Sequence, residues 1–173
     1  MGPLLFAVFI NDLRHSLCNS NYILYADDLQ IYIHFKPSDL ESALGGIRGD
    51  IAAVERWAER NHLFLNARKT KAMFLGSAKY INGITTSHNI VLELSGKPIE
   101  LVNQATDLGV TLTSTLNWSE HIKVSANKIN SILWRLKQFK NSLTTPLRVQ
   151  MVSSMIFPIF DYCAAVFTDL TGQ

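Results

Sequence analysis

The alternation of apolar and polar positions divides the chain into short elements of two periods. Gly2 and Pro3 can open a helix, and Leu4, Leu5, Val8, Phe9 and Leu13 recur at three-four spacing, which predicts a short buried helix to about Leu17. Asn19, Ser20 and Asn21 break it. Tyr22 to Ala26 and Leu29 to Phe35 are then rich in aromatic and β-branched residues, which predicts a hairpin cornered by Asp27 and Asp28.

Pro37, Ser38 and Asp39 signal a helix start, and Leu40, Leu44, Ile47, Ile51, Val54, Trp57 and Ala58 carry an apolar stripe to about Asn61. Gly45, Gly46 and Gly49 weaken its middle by about 1 kcal/mol each relative to alanine, which allows a bend or an N-terminal loop there. After HLFLN and the basic turn ARKT, KAMFLG reads as a strand, Ser77 to Asn89 as a polar loop, and IVLEL, PIELV and LGVTLT as further strand-like pieces. The first two of these are joined at Ser95-Gly96-Lys97. From Trp118 to Phe139 the period becomes helical again, with Trp118, Ile122, Ala126, Ile129, Leu133 and Leu136 on one arc and Asn117 or Ser119 as cap. A last apolar helix begins around Pro146. No repeat or low-complexity tract interrupts the series.

Composition narrows this picture. With 173 residues and 47% apolar content the chain suits one domain, or one plus a helical appendage, and disorder is excluded as the default. The net charge is only +2, unevenly spread: residues 1–50 are acidic on balance and residues 118–173 basic, a bias that suits a polyanionic partner or simply a solvated surface. Two cysteines, Cys18 and Cys163, stand far apart without metal-like spacing, which excludes a disulfide framework and points to a reducing, intracellular compartment, nuclear or cytoplasmic, and not to secretion. MGPLLFAVFINDL lacks the basic start of a signal peptide. MVSSMIFPIFDYCAAVF is interrupted by Pro158 and Asp161 and falls short of the roughly 20 residues a span needs, so no membrane segment is expected.

The candidate chemistry is the pair Asp27–Asp28. Aspartates favour tight turns because their side chains hydrogen-bond nearby backbone. A pair on a rigid hairpin tip also offers hard oxygen donors to a divalent cation, and Mg²⁺ is commonly held by one or two carboxylates plus substrate phosphates. Both readings fit the local sequence. A paired-metal phosphoryl-transfer site would need further carboxylates from a second segment.

GPLLFAVFINDL, then YADD, a long helix ending in a tryptophan, NHLFLNARKTKAMF, DLGVTL and LNWSEHI follow one another in an order that resembles the reverse transcriptases of non-LTR (LINE-like) retrotransposons. The resemblance runs from residue 2 to about residue 165. It implies an α+β fold: a truncated polymerase palm, with a β-hairpin and a small antiparallel sheet packed on helices, over residues 1–103. A primer-grip-like hairpin and a mainly helical thumb would follow over 104–173.

The resemblance also implies site residues. Tyr25, Ala26, Asp27 and Asp28 match the catalytic hairpin, with Asp27 the main Mg²⁺ ligand and Asp28 its neighbour; Mn²⁺ is the alternative ion. Asn66, Lys69 and Thr70 match a later palm block whose lysine lies near the triphosphate and protonates the leaving pyrophosphate, a catalytic role the resemblance implies for Lys69; a solvated turn lysine is its plainer reading. Gly2 and Pro3 begin the helix that helps position template and nucleotide, and Leu108 and Gly109 match the hairpin that holds the primer end. Lys128 and Arg135, seven apart on the thumb-like helix, are placed to meet phosphates. For His121 a packing or capping role is expected. The implied partners are an RNA template, a DNA primer and deoxynucleoside triphosphates.

The departures from the pattern are equally specific. The block that carries the family's first catalytic aspartate is not among the 24 residues before Tyr25, nor are the fingers, and Met1 stands where the family has a small residue of a turn. The expectation is therefore a fragment of an RNA-directed DNA polymerase, inactive by itself. The alternative is a non-catalytic nucleic-acid-binding or protein-interaction remnant.

Overall fold

The computed structural model describes residues 1–166, which form two compact units, one built from Met1–Ala72 and Ala78–Val102 and the other from residues 73–77 and 103–166.

In the first unit, helix α1 (Gly2–Phe9) runs directly into a 3-10 segment, Ile10–Ser16. The continuous buried helix expected to Leu17 is thus corrected. Only Ile10 and Leu13 are buried, whereas Leu4, Leu5 and Val8 of α1 are more than 60% exposed. Of the expected stripe only Leu13 is buried, and Ile10 and Phe6, which lie outside it, join it against a partner. That partner is the long helix α2 (Leu40–Arg60), which buries Leu40, Leu44, Ile51, Val54, Trp57 and Ala58 along the expected stripe. Ile10, Leu13, Val54, Trp57 and Ala58 make a core cluster against which Phe6, Leu17, Leu24, Leu29, Leu63 and Leu65 pack. Alternation in His62–Leu65 follows from this: Leu63 and Leu65 turn inward and Phe64 is left fully exposed.

Strands β1 (Asn21–Tyr25) and β2 (Asp28–Tyr32) form an antiparallel hairpin between α1 and α2 in sequence. β3 is only Lys71–Ala72 and pairs in parallel with β6 (Glu100–Leu101), where Lys71 and Glu100 also form an ion pair. The strand expected over KAMFLG therefore stops early, because Met73–Ser77 leaves for the second unit. Residues expected to be a polar loop form helix α3 (Ala78–Ser87), driven by Ile81 and Ile84, which are buried one turn apart. β4 (Glu93–Leu94) and β5 (Lys97–Pro98) pair across Ser95-Gly96, both at positive φ (52° and 69°), the backbone of a two-residue hairpin turn.

In the second unit, β7 (Gln104–Asp107) and β8 (Val110–Thr113) pair antiparallel, and helix α4 (Ser119–Gln138) follows. Neither Asn117 nor Ser119 is its N-cap, which is Trp118; Asn117 Oδ1 instead accepts a 2.7 Å bond from the Ser119 amide in a local turn that leads into the helix. The face turned inward differs from the expected arc. His121 is buried and Ser125, Ile129, Ile132 and Leu136 are half-buried, while Ile122, Ala126 and Leu133 face solvent. Helices α5 (Thr145–Met155) and α6 (Phe157–Asp161) and a 3-10 turn at Ala164–Val166 complete the described chain. By length and composition alone Thr145–Val166 is apolar enough to cross a membrane, although it is broken at Ile156 and again at Tyr162.

Candidate functional site

The acidic pair stands at the tip of β1–β2. The register pairs Tyr25 with Asp28, Leu24 with Leu29 and Ile23 with Gln30, so that the loop proper is Ala26–Asp27 and Asp28 already belongs to β2. The expected corner therefore shifts by one residue, because Ala26 takes the left-handed conformation (φ 50°) that closes so short a loop. Period-two alternation then sorts the side chains. Leu24 and Leu29 share the face packed on the core cluster. Tyr25 and Asp28 share the opposite, exposed face, and Asp27 is exposed in the loop.

Both carboxylates are solvated, and among the described residues no ion pair engages either of them. Adjacent carboxylates at a hairpin tip, one in the loop and one at the start of β2, repel, and a divalent cation relieves that repulsion with hard oxygen ligands. The donor set suits Mg²⁺ as a partial site. Among the described residues no cluster of three or more histidine, cysteine or acidic side chains is arranged to hold a metal, so the remaining ligands would have to come from substrate, water or another segment.

Lys69 lies in a separate turn. The Asn66 carbonyl accepts from the amides of Lys69 and Thr70 (both 3.0 Å) and from Thr70 Oγ1 (3.0 Å), and Asn66 Oδ1 accepts from the Lys69 amide at 3.2 Å. Asn66 and Thr70 thus shape the turn, and the Lys69 side chain is left exposed. No hydrogen bond or ion pair joins Lys69 to Asp27 or Asp28 among the described residues. Beside this turn a cavity of about 340 Å³ is lined by Phe64, Asn66, Arg68 and Lys97. Gly2 and Pro3, at the start of α1, are exposed.

Of the remaining expected residues, Leu108 and Gly109 are the turn of β7–β8, at φ 43° and 82°. Lys128 and Arg135 are exposed on α4, two turns apart.

Residues 1–124 match the family described as reverse transcriptase (RNA-dependent DNA polymerase). The chain belongs to the reverse transcriptase family. It is 24% identical over 176 aligned positions, 94% of this chain, to the "Probable RNA-directed DNA polymerase from transposon BS" of Drosophila melanogaster. It is likewise 24% identical over 179 positions, 96% of this chain, to the "RNA-directed DNA polymerase from mobile element jockey" of the same organism. The chain spans 18% of the length of each of those relatives. No solved structure matches it.

Two buried polar residues, Asp50, which no motif singled out, and His121, of the LNWSEHI block, tie elements of the chain together locally. Asp50, on α2, is 1% exposed and accepts hydrogen bonds from the backbone of Cys18, Asn19 and Ser20. Burial alone would raise its pKa, but the bonds from Ser20 Oγ, the Cys18 and Asn19 amides and the Asn19 side chain outweigh it and hold the carboxyl below its ordinary value. His121, on α4, is buried and its Nδ1 accepts a 3.1 Å bond from the Thr111 amide of β8. The expectation of a packing role for His121 agrees with that bond.

Proposed function

We propose that this chain is the C-terminal palm and thumb portion of a LINE-like retroelement reverse transcriptase. The intact enzyme would add deoxynucleotides to a primer 3′ end on an RNA template. The supporting observation is the Asp27–Asp28 pair, presented on a hairpin that Leu24 and Leu29 seat on the core, within a chain of this family. Asp27 and Asp28 would hold Mg²⁺, or Mn²⁺ in its place, and the ion when bound supplies neutralisation of charge on the phosphoryl oxygens. Ala26 and Tyr25 set the direction of the pair, and Lys69 would meet the triphosphate from its own turn. Gly2 and Pro3 would lie along template and nucleotide, and the Leu108–Gly109 turn along the primer.

A single carboxylate pair does not complete a paired-metal site, so the 173-residue polypeptide alone is proposed to be inactive in synthesis. Primer extension by the purified chain on an RNA template with Mg²⁺ tests this, with product at background expected. Robust synthesis that disappears in Asp27→Asn would refute the inactivity.

A second reading is favoured by the charge distribution. Between residues 103 and 166 six lysines and arginines face three acidic residues, whereas the unit that carries the aspartate pair is balanced. We infer a non-catalytic nucleic-acid-binding role for this part, through Lys128 and Arg135. Salt-sensitive binding to a primer–template duplex that is unchanged when Asp27 and Asp28 both become Asn would support it; the absence of binding at low salt would remove it.

A further inference from the structure

The entry to the hairpin is held by one side chain. Asp50 Oδ1 accepts from the Cys18 amide (3.0 Å) and from Asn19 Nδ2 (3.0 Å). Its Oδ2 accepts from the amides of Asn19 (3.0 Å) and Ser20 (2.7 Å) and from Ser20 Oγ. Five donors from three consecutive residues thus converge on one buried carboxylate, immediately before β1 begins at Asn21.

The helix surface next to Asp50 is cut to receive the same segment. A Cβ at Gly46 would lie 3.1 Å from Asn19 Cβ and 3.1 Å from Ile33 Cδ1, and one at Gly49 would lie 3.5 Å from Asn19 Nδ2. Asn19 precedes β1 and Ile33 follows β2, so both legs of the hairpin rest at one glycine notch on α2. At the other end Leu24 and Leu29 rest on the core cluster. The loop between them carries Asp27.

From this we propose that Asp50 is the positioning residue of the Asp27–Asp28 hairpin, locking the Cys18–Ser20 turn to α2 so that the strands, and with them the acidic tip, take one fixed orientation. The proposal rests on the metal-binding reading of that tip. Asp50 touches no reacting atom. A charged carboxylate suits the task because it can accept from several amides at once, which a neutral amide side chain cannot do without turning a donor toward a donor.

A purely structural Asp50 would protect the whole first unit equally, whereas a positioning Asp50 protects the hairpin first. Amide hydrogen exchange on the full chain separates the two. In Asp50→Asn, amides of the β1–β2 ladder are expected to exchange about tenfold faster or more, while those of Val54–Ala58 change by less than about twofold. Ser20→Ala, which removes one hydroxyl donor and leaves the backbone bonds, is expected to show the same selectivity at about threefold and serves where Asp50→Asn does not fold. Uniform acceleration, or an unchanged hairpin, overturns the proposal.

Titration with Mn²⁺ alone, read as paramagnetic broadening of backbone amides, tests the link to the tip. Broadening centred on Asp27 and Asp28 in the unsubstituted chain, requiring about tenfold more Mn²⁺ in Asp50→Asn, is expected. Equal Mn²⁺ dependence in both proteins overturns the positioning role. Selective exchange without broadening in either protein upholds the anchor and refutes the metal reading instead.

Discussion

The hydroxyl of Tyr162 donates a 2.5 Å hydrogen bond to the carbonyl of Leu108, and its ring covers Gly109, where an added Cβ would lie 3.2 Å from Tyr162 Cε1. The residue that follows α6 thus closes over the turn of β7–β8. Gly109 is at φ 82°, a conformation that a side chain resists.

Gly109→Ala is therefore expected to destabilise by roughly 1–2 kcal/mol, from positive φ and contact with the ring together. Tyr162→Phe removes the hydrogen bond to the exposed Leu108 carbonyl and should cost about 0.5–1 kcal/mol. Urea unfolding of the two variants checks the order of the effects. A Gly109→Ala as stable as the parent would show that the ring does not constrain the turn.

The glycines of α2 give a second contrast. Gly45 has nothing within 4 Å of an added Cβ, while Gly46 faces Asn19 and Ile33 at 3.1 Å. Gly45→Ala is expected to stabilise by up to about 1 kcal/mol through helix propensity alone. Gly46→Ala gains the same propensity but must displace the ends of the hairpin, so its midpoint in thermal unfolding should lie below that of Gly45→Ala.

Acid stability follows from Asp50. Its folded pKa is depressed below the ordinary 3.8, so its contribution is fully present above that value and is lost as pH falls through the lower folded value. Urea unfolding at about pH 5 and about pH 3 should show the parent losing more stability between the two than Asp50→Asn, which has no such carboxylate to protonate. An identical pH dependence in the two proteins would contradict the linkage.

For the nucleic-acid reading, Lys128→Ala and Arg135→Ala leave the exposed face of α4 without a cation each. Each should reduce the slope of log affinity against log salt by about 1 if it neutralises one phosphate, with the same change on every sequence tested. Unchanged slopes would place the contact elsewhere.

Much of the first unit was legible in the linear pattern. The stripe from Leu40 to Ala58 is long enough for helical periodicity to override three glycines, and the aromatic and β-branched runs around Asp27 and Asp28 define a hairpin whatever surrounds them. Helix α3 was not legible, because a ten-residue segment with two buried isoleucines has too short a period to stand out from a polar loop. The face of α4 was read only in part: Trp118, Ile129 and Leu136 of the expected arc are half-buried, but Ile122 and Leu133 are exposed because the buried bond from Thr111 selects His121.

The sequence by itself determined the order of elements, the acidic tip and the ordered blocks that resemble the reverse transcriptases, since these depend on residues near one another in the chain. Tertiary structure alone decided what Asp50, the Gly46 notch and Tyr162 do. Asp50 and Cys18 are 32 residues apart and Tyr162 and Leu108 are 54 apart, and no local period encodes where a buried carboxylate finds its donors or which turn a tyrosine closes.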